Sequence, residues 1–117
     1  MAVTATRTTT ITFTGDVIGV QTLPAASNAS SPGSIEIKTL ANGANTITVP
    51  TGGSTVTACT IVPPAANTTA ITLKGIGADT GILIHLTDPT TIAIASSVTT
   101  FVLNAGAAIT GVRLFWS

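Results

Sequence analysis

The strongest constraint on the fold is the two-residue rhythm of the last third of the chain, from Ala70 to Ser117. Apolar residues recur at every second position: Ile71 and Leu73, Ile82, Ile84 and Leu86, Ile92 and Ile94, Phe101 and Leu103, then Val112, Leu114 and Trp116. Successive side chains of a strand point to opposite faces, so this alternation builds half-buried β-strands. Gly, Pro, Asn and Asp punctuate the runs and supply the turns.

The same pattern extends back to Ser34. Ile35 and Ile37 share a face in residues 34–40, and Asn42-Gly43 is a hairpin dipeptide. Residues 44–49, 55–62, 69–76, 81–87, 90–95, 99–104 and 109–116 follow as strands, and Pro63-Pro64 and Asp88-Pro89 act as stops. That is about eight strands with a turn every eight to twelve residues, the spacing of an antiparallel sandwich or barrel. No segment carries helical periodicity. The expected fold is all-β, an antiparallel β-sandwich of jelly-roll type. Four stretches echo one another, starting at Thr8, Asn45, Asn67 and Thr90, but their unequal spacing does not define a repeat.

The first third reads differently. Residues 1–7 have no periodicity. Residues 8–14 alternate around Ile11 and Phe13, and residues 17–22 form a second short extended piece. Residues 23–34 collect Pro24, Asn28, Ser30, Ser31, Pro32 and Gly33 and read as a long loop. A loop of that length is uncommon inside a compact domain. Residues 1–33 are therefore expected to be an N-terminal arm and linker, and residues 34–117 the sandwich body.

Composition constrains function by exclusion. Charged residues are 7% of the chain, against a usual share of about 25%. Roughly one residue in five is Thr, which suits a pleated surface. The net charge is zero, and a neutral surface favours association, so much of it is expected to be covered by other copies or by a larger assembly. Arg7, Lys38, Lys74 and Arg113 are scattered, whereas nucleic-acid binding needs clustered cations, so no nucleic-acid partner is expected. No stretch approaches the length of an apolar membrane helix, and the first residues lack the pattern of a signal peptide, so no membrane partner is expected. The Asn28 and Asn67 sequons are read as accidents of an Asn- and Thr-rich chain.

No catalytic constellation stands out. His85 is the single histidine, so any histidine acid–base chemistry requires it. Alternation sets it opposite Ile82, Ile84 and Leu86, and no nucleophile-elbow motif is present. Asp16, Glu36, Asp79 and Asp88 lie in separate segments, so no metal or calcium loop is expected. Residues 75–81 are glycine-rich but lack the phosphate-loop Lys and read as a hairpin loop, with Asp79 bonding its own backbone. Cys59 is a lone cysteine in a strand-like run and reads as a small buried hydrophobe. No enzyme activity and no cofactor are expected. Phe115 and Trp116 fall on opposite faces of the last strand, one toward core and the other toward the outer surface or a subunit contact. Ile11, Phe13, Phe115 and Trp116 are the candidate interface residues.

Four blocks carry a resemblance: residues 71–75, 79–81, 85–89 and 107–117, the last reading Ala-Ala-Ile-Thr-Gly-Val-Arg-Leu-Phe-Trp-Ser. They resemble small structural proteins of tailed bacteriophages. The chain's size, arm and sandwich are similar to those of capsid cement (decoration) proteins. The resemblance implies a non-enzymatic virion protein that binds the major capsid protein on the outer shell, acts as a homotrimer and stabilises capsomer contacts. It implies location in the virion after assembly in the host cytoplasm. It transfers no site residue. A phage tail or fibre component that binds a host-surface glycan is the alternative.

Overall fold

The computed structural model describes residues 5–8, 10, 27–30, 34–50 and 56–117. All regular structure in them is β. In chain order the strands are β1 (Ala5–Thr8), β2 (Ser27–Ser30), β3 (Ser34–Leu40), β4 (Gly43–Thr48), β5 (Ala58–Val62), β6 (Ile71–Lys74), β7 (Ile82–Leu83), β8 (Thr90–Ala93), β9 (Thr100–Ala105) and β10 (Ile109–Trp116).

β3 to β10 form two four-stranded sheets. The first has the order β3-β10-β5-β8 and the second β4-β9-β6-β7. The pairings show how the chain gets there. β3 pairs β10, β4 pairs β9, β5 pairs β8 and β6 pairs β7, all antiparallel. The chain is thus one long hairpin with its tip between β6 and β7, rolled so that successive pairs alternate between sheets. The jelly roll expected from the strand spacing is the fold observed.

The core lies between the sheets. Leu40, Ile47, Ile61, Leu103, Val112 and Leu114 are fully buried in it. Trp116 of the first sheet meets Phe101 of the second, with ring centroids 6.1 Å apart and planes tilted by 57°. A tilted aromatic pair of this kind is favourable beyond the area it buries. β10 carries one extra residue between Ile109 and Val112, opposite Leu40 and Lys38 of β3. Gly111 absorbs it with φ +84°, so Ile109 and Val112 both reach the core although they are three apart.

Three expectations need correction. Residues 1–7 and 23–34 were expected to lack regular structure, yet β1 and β2 pair antiparallel from Ala5↔Ser30 to Thr8↔Ser27. Backbone pairing does not require apolar alternation, and hydroxyl-rich segments carry little pattern to reveal it. The strand expected over residues 81–87 shrinks to Ile82 and Leu83, which are 71% and 69% exposed. Ile84 alone packs against the core there, and Leu86 is 43% exposed. The cause is local: His85 Nδ1 accepts the backbone N–H groups of Thr87 and Asp88 at 3.2 and 2.9 Å, which curls the chain before a ladder can form. The third is Trp116, offered as an interface residue, which is 1% exposed and lies in the core. The strands expected over residues 8–14 and 17–22 lie outside the described residues, as do Ile11 and Phe13.

Candidate functional site

β3 is built inside out. Ile35 and Ile37 share a face, as their spacing requires, but that face is the outer one, where they are 64% and 73% exposed. Glu36 and Lys38 take the inner face, opposite core residues Leu114 and Val112 of β10. Period-two geometry makes this a single choice of register, because a slip of one residue would exchange the two sets. The inner charges are accommodated because β3 is an edge strand. Lys38 Nζ lies 3.3 Å from Glu36 Oε1, and Trp116 Nε1 donates to Glu36 Oε2 at 3.3 Å. Inward charges on an edge strand also discourage edge-to-edge aggregation.

The outer face of the first sheet is consequently apolar and hydroxylated. One cross-strand row runs Ile35, Phe115, Thr60, Thr91, and the next runs Ile37, Arg113, Val62. Thr60 and Thr91 share a hydroxyl hydrogen bond of 2.8 Å. The Arg113 guanidinium carbon stands 5.7 Å from the Phe115 ring centroid, within cation–π range. Phe115 is half-buried and keeps part of its side chain exposed on this outer face. Trp116 does not. It is 1% exposed, so the expectation that it serves an interface is replaced by a core role. Alternation alone could not say which of the two aromatics faced inward, because strand order decides it.

Other singled-out residues have structural duties. His85 closes the turn described above, and Asp88 Oδ2 lies 3.7 Å from its Nδ1. Asp79 Oδ2 accepts the Ile76 N–H at 3.0 Å, a local turn bond reaching back three residues. Cys59 is fully buried opposite Trp116 of β10, and burial, with Glu36 adding to it, pushes its thiol up to about 12. A thiol held protonated is a poor nucleophile and metal ligand. Among the described residues no three His, Cys, Asp or Glu side chains gather into a metal-binding group.

The Asn67 sequon hides a structural role that nothing in the surrounding residues signals. Its Nδ2 donates to Leu86 O at 2.7 Å and Thr69 O at 2.9 Å, pinning the segment after β7 to the start of β6. A cleft of about 680 Å³ opens between the edges of β7 and β8, lined by Leu73, Ile82, Ile92, Ile94, Val98 and Phe101. It exists because β7 is too short to close the sandwich on that side. Comparison with known proteins finds no match among family models, curated proteins or solved structures.

Proposed function

We propose that this chain is a non-enzymatic virion structural protein, a capsid cement (decoration) protein that binds the outer shell and stabilises capsomer contacts. The observation that carries the reading is the register of β3. It turns two isoleucines outward and two charged residues inward, which a sheet facing only water would not favour. An exposed apolar patch of this kind marks an interaction surface. Charge scarcity supports the same reading, since a chain with 7% charged residues is suited to life inside an assembly. The jelly roll is a fold used by viral capsid proteins, though it also hosts lectins and cupins, so it supports the class of protein and not the chemistry.

The non-enzymatic part rests on how the titratable groups are used. His85, Asp79 and Glu36 are each committed to bonds that hold turns or the core edge, and Cys59 is sealed in the interior. The glycan-binding alternative is disfavoured by the aromatics. Trp116 and Phe101 are in the core, which leaves Phe115 as the one partly exposed ring among the described residues.

In this reading the major capsid protein is the partner, the protein acts as a homotrimer and it resides in the virion. Residues 1–33 extend the contact. The deciding experiment is binding to empty capsids of the cognate phage, with particle melting as readout. Added protein should raise the shell's melting temperature, and the version lacking residues 1–33 should keep its sandwich and bind more weakly. No binding by the full chain rejects the cement role, and location of the chain on the tail in a cryo-EM map would assign it there instead.

A further inference from the structure

The connection from β7 to β8 is held by a side chain whose bonding depends on its protonation. His85 Nδ1 accepts the backbone N–H groups of Thr87 at 3.2 Å and Asp88 at 2.9 Å. A ring nitrogen accepts only while it carries no proton, so both bonds require the neutral imidazole with its hydrogen on Nε2. The His85 side chain is 61% exposed, so protons from solvent reach it directly. Among the described residues the charged group that faces it is Asp88, with Oδ2 3.7 Å from Nδ1.

Protonation reverses the role of this nitrogen. Nδ1 then holds a hydrogen where it accepted two, and the Thr87 and Asp88 amides lose their acceptor. The new N–H finds an acceptor in the Asp88 carboxylate, and a charged pair of this kind is the stronger bond. Nδ1 thus serves either the backbone of the turn or the side chain of Asp88, and the proton decides which.

The chain before the turn is anchored independently of His85. The Ile84 N–H donates to Ile71 O at 3.1 Å, and Asn67 Nδ2 holds Leu86 O at 2.7 Å. Release of Thr87 and Asp88 is therefore directed forward, toward Pro89 and the start of β8 at Thr90. Pro89 borders a groove of about 860 Å³ on the outer face of the first sheet, together with Thr60, Thr91 and Phe115.

We propose that His85 is a proton-operated latch on the β7–β8 connection. Neutral, it holds the Thr87 and Asp88 amides and fixes Pro89 at the border of the outer face. Protonated, it exchanges both amides for the Asp88 carboxylate and loosens that border. The latch stands on the geometry of the turn. Its effect on docking rests on the reading of the outer face given above.

Amide exchange resolved by NMR, read beside the ring signals of His85, tests the latch in the native chain. Referred to their intrinsic rates at each pH, the Thr87 and Asp88 amides should exchange at least about 5-fold faster once the ring is protonated, as for loss of one hydrogen bond each. The Ile84 amide should keep its protection. His85→Asn retains a short-range acceptor that takes up no proton, so it should hold both amides across the same interval. His85→Ala should expose them at every pH. Protection of Thr87 and Asp88 that stays constant while the ring titrates overturns the latch, and so does an equal acid response in His85→Asn. Binding to empty capsids that weakens over that interval in the native chain but not in His85→Asn carries the latch to the docking face. Unchanged capsid binding beside responding amides overturns that link. A chain that binds no capsid at any pH, its amides still responding, would remove the docking reading and leave the latch.

Discussion

Trp116 donates its indole N–H to Glu36 Oε2 at 3.3 Å, from the core side of β10 to the edge strand β3. The bond joins the largest buried core side chain to the one carboxylate on the sandwich's inner face among the described residues. It gives the indole nitrogen an acceptor that the apolar core does not provide, and it holds the carboxylate where Lys38 also reaches it. It thereby favours the register in which Ile35 and Ile37 face outward.

Glu36→Ala should destabilise the fold by about 1–3 kcal/mol, because it leaves a buried donor unsatisfied. The lower half of that range is expected, since Glu36 keeps 41% side-chain exposure and water can approach. Glu36→Gln preserves an acceptor and should cost less. Lys38→Met should change stability by less than about 1 kcal/mol, the usual worth of a part-exposed ion pair. Urea unfolding followed by Trp116 fluorescence orders the three variants.

Cys59 predicts an alkaline limit. Its thiol lies at about 12 in the folded chain, raised by burial and then by Glu36 from an ordinary 9.0. The folded value is the higher one, so the unfolded chain loses this proton first as pH rises. Stability from this group is full below about pH 9 and falls between pH 9 and 12, by about 1.4 kcal/mol per pH unit at most. Cys59→Ala should flatten that part of the profile, beyond its packing cost. Thiol reagents at pH 8 should label Cys59 only as fast as the protein opens, and rapid labelling of the native state would contradict the burial.

The fold was legible because jelly-roll strands face core on one side, and that makes period-two patterns. Residues 34–40 and 109–116 were bounded correctly from alternation alone. Alternation says which residues share a face but not which face is the core. Ile35 and Ile37 illustrate the gap, since only the pairing with β10 shows that they point outward. The same ambiguity left Phe115 and Trp116 unassigned. β1 and β2 were missed because pairing of their backbones leaves no trace in a Thr-, Ser- and Ala-rich segment. β7 was overextended because Ile82, Ile84 and Leu86 alternate, while the His85 turn that stops the strand has no apolar signature.

Gly81 should tolerate no side chain. Its φ is +77°, and an added Cβ would lie 2.6 Å from Leu73 O and 2.7 Å from Thr72 Cγ2. Gly111 has a similar φ of +84° but open space around it. The pair separates backbone strain from steric conflict. Gly111→Ala should cost about 1–2 kcal/mol, the penalty of a left-handed conformation for an L-residue. Gly81→Ala should cost more and loosen the β6–β7 pairing. Thermal melts of both variants test the order, and equal costs would mean that β6 gives way easily.

The outward isoleucines make the sharpest test of the functional reading, because stability and binding should separate there. Ile37 is 73% exposed, so Ile37→Ser removes little buried area and should leave stability within about 0.5 kcal/mol of the parent. Leu114→Ala, on the same sheet but facing inward and fully buried, should cost about 2–5 kcal/mol. If the outer face of the first sheet is what the protein docks with, Ile37→Ser and Ile35→Ser should weaken capsid attachment and self-association while their melting temperatures hold. A surface isoleucine that merely tolerates water would leave binding as unchanged as stability. Measuring melting temperature and capsid binding on the same preparations decides between these cases, since Leu114→Ala fixes the loss of binding that comes from a weakened fold alone.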